Sequence, residues 1–347
     1  MTVITVLGEV DEGDLGVVLP HEHLLCDLGL EWEPAADKED LGEAFRPLTA
    51  AVLERSRRRP LHYYEVLGLK SPATAVAELR PFTEAGGKTV VELTNWSLGR
   101  KPEALCAISR LAGVHVVMGS GEYREFAHSP FVRWASVEQL RDMMIADVME
   151  GANGVRAGIL GELGTSNPVT SAEEKVLRAA ARAARATGVA VNVHRTPWPD
   201  EMAGLRALDL LLGEGLDPGR ITISHCDERA SAAFALAVGH RGAFISCDTF
   251  GMQRWAETGA RPGQPIPTDE QRLQIVQEAL AAGYLPQLLL SHDVGMRTEL
   301  KCNGGFGYEH VDRTIVPLLV KSGLRPGEVD TIRVANPARS LAVASAA

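Results

Sequence analysis

The residues of this chain best suited to chemistry begin at Leu19-Pro20-His21-Glu22-His23, where two imidazoles stand one residue apart after the apolar run Val17, Val18 and Leu19. On an extended segment alternate side chains share a face, so His21 and His23 project together and Glu22 projects away. Such a pair can grip one metal ion. Four more residues of ligand type follow: Glu162 in "AGILGEL", His194 ending "VAVNVH", His225 ending "ITISH" and Asp293 ending "PQLLLSHD". Four neutral imidazoles and two carboxylates suit zinc, with manganese, cobalt or iron as alternatives. One ion is expected at His21, His23 and Asp293 and a second at His194 and His225, with Glu162 between them. Water held by two such ions gives up a proton far more readily than bulk water, which makes hydroxide available at neutral pH.

Residues so far apart in sequence need elements that bring them together. Short apolar, β-branched runs alternate with longer amphipathic stretches, the pattern of repeated βα units. The expected strands are "GVVLP" before His21, "TVVELTN" at 89–95, "VHVVMGS" at 114–120, "AGILGEL" at 157–163, and the runs ending at His194, His225, Asp248 and Asp293. Eight strand-helix repeats predict a (β/α)8 TIM barrel, α/β in class, whose active site lies at the C-terminal ends of the strands. A doubly wound sheet would show the same alternation, but no GxGxxG follows a strand. Ser171 with Glu174, and Thr268 with Gln271, read as capping boxes, while Gly188, Gly283 and Gly323 read as helix stops. A hairpin is expected over about residues 1–15 and a largely helical excursion over 24–85. The Gly- and Pro-rich stretch 249–267 reads as a long functional loop. With no Ser/Gly linker or low-complexity tract, residues 1–347 are expected to form a single barrel domain.

Composition narrows the function. The 347 residues are 45% hydrophobic and 23% charged, with a net charge of −10. That balance argues against a nucleic-acid backbone or an anionic membrane as partner, because both call for clustered Lys and Arg. The one basic cluster, Arg55, Arg57, Arg58 and Arg59, reads as a solvated helix end. Cys26, Cys106, Cys226, Cys247 and Cys302 are scattered and contain no CxxC, so buried free thiols in a reducing compartment are expected. Acidic residues near the N-terminus, no signal-like run and no membrane-length apolar stretch point to a cytoplasmic protein, with a homodimer the expected assembly.

Taken in order, "TVLGEV…LGVVLPHEHL", "AGILGELGTS", "VNVH", "ISHCD", "LLLSHD", "GGFGYEH" and "NPARSLA" resemble the phosphotriesterase family of the amidohydrolase superfamily, from Val6 to Leu341. The resemblance implies a (β/α)8 barrel with a binuclear, commonly zinc, centre. It implies His21, His23 and Asp293 at the more buried ion, His194 and His225 at the more exposed one, and Asp293 as the acceptor of the nucleophile's proton. Two departures stand out. Many members bridge the ions with a carboxylated lysine on the fourth strand, whereas this chain, like a subset of the family, offers Glu162. Because adjacent strand residues face opposite ways, a bridge from Glu162 requires ions close to that strand or a local bulge. Thr249 stands where phosphotriester- and lactone-cleaving members often carry His or Arg, and a hydroxyl is neither a proton shuttle nor a cationic clamp.

These features predict hydrolysis of a small-molecule carboxylic ester, lactone or amide, with phosphotriester hydrolysis as the alternative. A metal-stabilised small-molecule-binding protein and a mononuclear deaminase-like enzyme are the other rivals. Asp227 is read as a proton relay or as a support for a ligand imidazole, and Asp248 in the same two ways. Tyr123 is expected at the substrate or the nucleophile. Trp198, Phe250, Trp255, Met296 and Phe306 are candidate pocket walls, and Arg195, Arg297 and Lys301 the cations nearest the rim, with Arg297 the one expected to bind substrate.

Overall fold

The computed structural model describes residues 1–35, 38–252 and 264–344. Strands β1 (Thr2–Thr5) and β2 (Gly8–Asp11) form an antiparallel hairpin. Eight strands follow: β3 (Val17–Glu22), β4 (Gly87–Glu92), β5 (His115–Ser120), β6 (Ile159–Thr165), β7 (Ala190–Arg195), β8 (Ile221–Ile223), β9 (Phe244–Cys247) and β10 (Leu288–Leu290). They pair in parallel and in chain order, with helices between them. Beyond β10 the chain returns to β3, where Asp293 N donates to His21 O and His23 N donates to Val294 O, both at 3.3 Å. The result is a nearly closed (β/α)8 barrel.

Two apolar layers hold it. Leu19, Val90, Val116, Leu160, Val191, Ile223, Ile245 and Leu290 face outward and pack with helix residues such as Phe82, Ile108, Met144, Leu177 and Val276. Val18, Val91, Val117, Ile159 and Ala190 face inward and pack with Val3, Leu15 and Leu341, so the hairpin and the C-terminal helix plug the lower end. With both faces buried, the strands are apolar, β-branched runs ended by polar residues at the upper rim.

The helix Ser171–Thr187 starts one residue earlier than its sequence pattern suggests. Thr170 is the cap and Glu173 its partner, because Glu173 is buried and also accepts from Ser166 N and Glu125 N, whereas Glu174 pairs outward with Arg206. The box at Thr268 and Gln271 forms, and Gly188 takes the left-handed conformation at the helix end with φ of 77°. The excursion over 24–85 is mostly turns and short helices until the 13-residue helix Pro72–Glu84. Four cysteines are buried and free, but Cys302 is exposed on a single turn at Lys301–Asn303. Among the described residues no helix is long and apolar enough to cross a membrane.

Candidate metal centre

Simple alternation delivers only part of the ligand set to the lumen. Counting from outward-facing Val191 and Ile245, residues His194 and Asp248 point inward, while Asp293, three residues past the end of β10, is left-handed with φ of 55°. Counting from Leu19, Leu160 and Ile223, residues His21, His23, Glu162 and His225 should point out. Each is turned by a local irregularity. The β3–β4 register shifts between Leu19 and Glu22, and the β6–β7 register shifts between Leu160 and Leu163. His225 itself is left-handed, with φ of 58°. Gly161 permits the shift in β6, because a Cβ there would lie 2.7 Å from Asn192 Cβ, too close for any side chain. The bulge that a bridging Glu162 requires is therefore present.

All six residues meet. Glu162 Oε1 lies 2.9 Å from His225 Nε2, 3.1 Å from His194 Nδ1 and 3.3 Å from His21 Nε2, and its Oε2 is 4.0 Å from His23 Nε2. Asp293 Oδ1 lies 3.3 Å from His21 Nε2 and 3.2 Å from His23 Nε2. His21, His23 and Glu162 form one group able to hold an ion, and Glu162, His194 and His225 form another, so Glu162 belongs to both. His21 Nε2 is buried and has no hydrogen-bond partner. A buried nitrogen lone pair left facing carboxylates is costly unless something positive sits before it. The donor set and this orphaned atom fit divalent cations.

The charges of the cage are interlocked. Burial works to lower the pKa of His21 and His225, but the Asp248 carboxylate, helped by Glu162 and Asp293, holds both well above the ordinary imidazole value. Burial works to raise Glu162 and Asp293, but the imidazoles bring Glu162 well below the usual carboxylate range and Asp293 down to about 2. These are the terms on which a cation displaces imidazole protons.

Supporting residues set the ring orientations. His23 Nδ1 lies 2.9 Å from Thr94 Oγ1, which donates to Glu92 Oε1 at 2.6 Å. Glu22 points away from the cage and wraps the segment that carries Asp293. Its Oε1 accepts from Ser291 Oγ (2.8 Å), His292 N (3.0 Å) and His292 Nδ1 (2.6 Å), and its Oε2 accepts from Val294 N (3.0 Å). Sequence reasoning assigned Glu22 no task. Its only signal was its place between two ligands, and its partners lie about 270 residues away.

Other expected site residues divide between the cleft and the interior. Tyr123 Oη lies 3.3 Å from His194 Nε2, and Tyr123, Trp198 and Met296 line the cleft above the cage with Leu28, Leu98 and Ile266. Phe250 is 1% exposed and, with Phe306, borders a separate small cavity. It stands three residues beyond β9 and packs in the sheet-helix core. Arg297 lies beside Glu65 (3.7 Å) and lines a different cavity with Lys70 and Tyr308, while Lys301 pairs with Glu309. Arg195 borders the cleft, but its guanidinium is buried against the Phe234 ring at 4.0 Å, and its Nε donates to His225 O. Asp227 is fully buried, and its oxygens accept from Asp248 N and Thr249 N at 3.2 Å each, so it anchors backbone below the cage instead of facing substrate. Trp255 lies outside the described residues.

A barrel with a histidine and carboxylate cage at the C-terminal ends of its strands is the architecture of a rim-site hydrolase. Residues 1–341 match the model of the phosphotriesterase family, and the chain belongs to that family. It is 32% identical to an N-acetyltaurine hydrolase of Danio rerio over 98% of this chain and 97% of that one. A resiniferatoxin-binding protein from Rhodobacter sphaeroides superposes with a TM-score of 0.92 at 32% identity, covering 98% of this chain and 94% of the other. The phosphotriesterase homology protein of Escherichia coli superposes at 0.77 with 28% identity, covering 94% and 99%. The chain is a hydrolytic enzyme, and its His, Glu and Asp clusters are of the kind that binds the metals this family uses.

Proposed function

We propose that the chain hydrolyses a carboxylic ester, lactone or amide at a binuclear centre held by His21, His23, Glu162, His194, His225 and Asp293. The observation that carries this reading is the pair of ligand groups sharing Glu162, with His21 Nε2 left without a partner between carboxylates. When bound, two divalent cations, with zinc the first candidate, supply Lewis acidity and lower the pKa of water. The chain's own residues do the rest. Asp293, kept ionised by the imidazoles beside it and with a side chain 20% exposed, accepts the proton of the attacking water and passes it outward. Tyr123, whose phenol burial pushes up, stays protonated and can donate a hydrogen bond to the carbonyl oxygen of substrate. Trp198, Leu28, Leu98, Met252, Ile266 and Met296 provide an apolar wall for the acyl or alkyl part.

The relatives named as N-acetyltaurine hydrolases support an amide among these substrates. Phosphotriester hydrolysis is the alternative within the same chemistry. Thr249 weighs against it, since its hydroxyl is fully buried and accepts from Arg272 Nε at 2.8 Å. The test is a panel of N-acyl amides, lactones, aryl esters and a phosphotriester, assayed before chelation, after it and after metal return. Carbonyl-substrate turnover that disappears and is restored is expected. Turnover that survives in verified metal-free protein, or ligand binding without turnover of any substrate, overturns the proposal.

A further inference from the structure

Asp248 stands just beyond β9, is fully buried and lies against His21 of one ligand group and His225 of the other, forming with these two rings a third cluster of ligand-type atoms. Its Oδ1 accepts from His225 N at 2.7 Å and lies 2.9 Å from His225 Nδ1. Its Oδ2, which makes no hydrogen bond of ordinary geometry, lies 3.0 Å from His21 Nδ1 as a charge facing that ring, and the hydrogen bond of His21 Nδ1 is with Ser224 Oγ at 2.9 Å. The two rings are 5.0 Å apart between centroids. An ionised carboxylate only accepts hydrogen bonds, so it favours the proton on Nδ1 of both rings. That leaves both Nε2 lone pairs turned toward Glu162, at 3.3 Å from His21 and 2.9 Å from His225.

We infer that Asp248 is a positioning residue that couples the two cation positions, fixing the tautomer and direction of His21 for one and of His225 for the other. The inference rests on the binuclear reading above. Glu162 joins the positions from within the ligand set, and Asp248 joins them from the opposite side of the same two rings. It also holds the His225 backbone, which is left-handed at φ of 58° and strained for a residue with a side chain. Arg195 grips the same residue from the other side, its Nε donating to His225 O at 3.0 Å. Of the two roles open to Asp248 from sequence, relay and support, this geometry takes support, because neither oxygen faces the cleft.

Asp248→Asn is the direct test, since the amide keeps the shape and exchanges one acceptor for a donor. With its oxygen retained by His225 N, the amide nitrogen faces His21 Nδ1. The proton of that ring is then driven to Nε2, where it blocks the lone pair. At His225 a charged acceptor becomes a neutral one. Zinc affinity is read by competition with a chromophoric chelator and stoichiometry by metal analysis, without reference to turnover. Wild type is expected to bind two ions, and both steps in the variant are expected to weaken by roughly 10- to 100-fold. Weakening at one step alone, or at neither, overturns the inference while leaving the binuclear reading intact. Wild type that binds fewer than two ions refutes that reading and this inference with it. The nitrogen-15 shifts of zinc-loaded wild type give a measurement independent of variant folding. Both His21 and His225 are expected to carry the proton on Nδ1, and Nε2–H at either residue overturns the proposal.

Discussion

Glu22→Gln should damage the protein through the far end of the chain. The side chain is fully buried and collects four donors, from Ser291 Oγ, His292 N, His292 Nδ1 and Val294 N. Glutamine offers one acceptor oxygen and an NH2 group. If the oxygen keeps the three contacts of Oε1, the amide nitrogen faces Val294 N–H, donor against donor, and the reverse orientation sets three donors against it. One buried donor left unsatisfied costs about 1–3 kcal/mol, and replacing charge-assisted hydrogen bonds with neutral ones adds about 1 kcal/mol, for about 2–4 kcal/mol in all. With an unfolding entropy of about 2.1 cal/mol/K per residue over 347 residues, that corresponds to a fall of about 3–6 °C in Tm. The loss should not be uniform. The segment held by Glu22 carries Asp293 in a left-handed conformation, φ of 55°, which a residue with a side chain keeps only under restraint. Calorimetry of metal-free and zinc-loaded protein should therefore show the larger drop in the loaded form, with weaker zinc binding alongside. A melting temperature equal to wild type in both forms would refute the reasoning.

Glu162→Ala removes the one residue common to both ligand groups, and metal analysis should find the count falling sharply from about two per chain. One ion per chain in wild type, retained in the variant, would instead identify a mononuclear site. Zinc uptake near neutral pH should release protons, because His21 and His225 hold theirs above the ordinary imidazole range in the metal-free protein. The sign follows directly: as pH falls, protons compete more strongly and apparent affinity drops, and as pH rises through the raised values the release fades. Titration calorimetry in buffers of different ionisation enthalpy measures this, and heats independent of buffer would count against the charge assignment.

The barrel was legible because its signal is local. A strand buried on both faces must be an apolar, β-branched run, and a helix packed on it must repeat its apolar positions every three to four residues. All eight runs became strands in chain order, and the barrel rule placed their polar ends at one rim. The errors were local as well. The capping box at the helix after β6 slipped by one residue, because the choice between Glu173 and Glu174 depends on which one Ser166 and Glu125 reach. Phe250 read as a pocket wall and Arg297 as a rim cation that binds substrate. One is drawn into the core, and the other is turned toward Glu65.

The residue types and their places at the expected strand ends pointed to ligand chemistry, and alternation along β7 delivers His194 to the lumen. Only the folded chain decided that His21, His23, Glu162, His225 and Asp293 join it, because register shifts in β3 and β6 and the left-handed His225 and Asp293 set their directions. The left-handed His225 is held by the hydrogen bond its N–H donates to Asp248 and the one its carbonyl accepts from Arg195, and the segment of Asp293 by the bond Val294 N donates to Glu22. Periodicity is a property of neighbours along the chain, and the restraints that break it here come from neighbours in space.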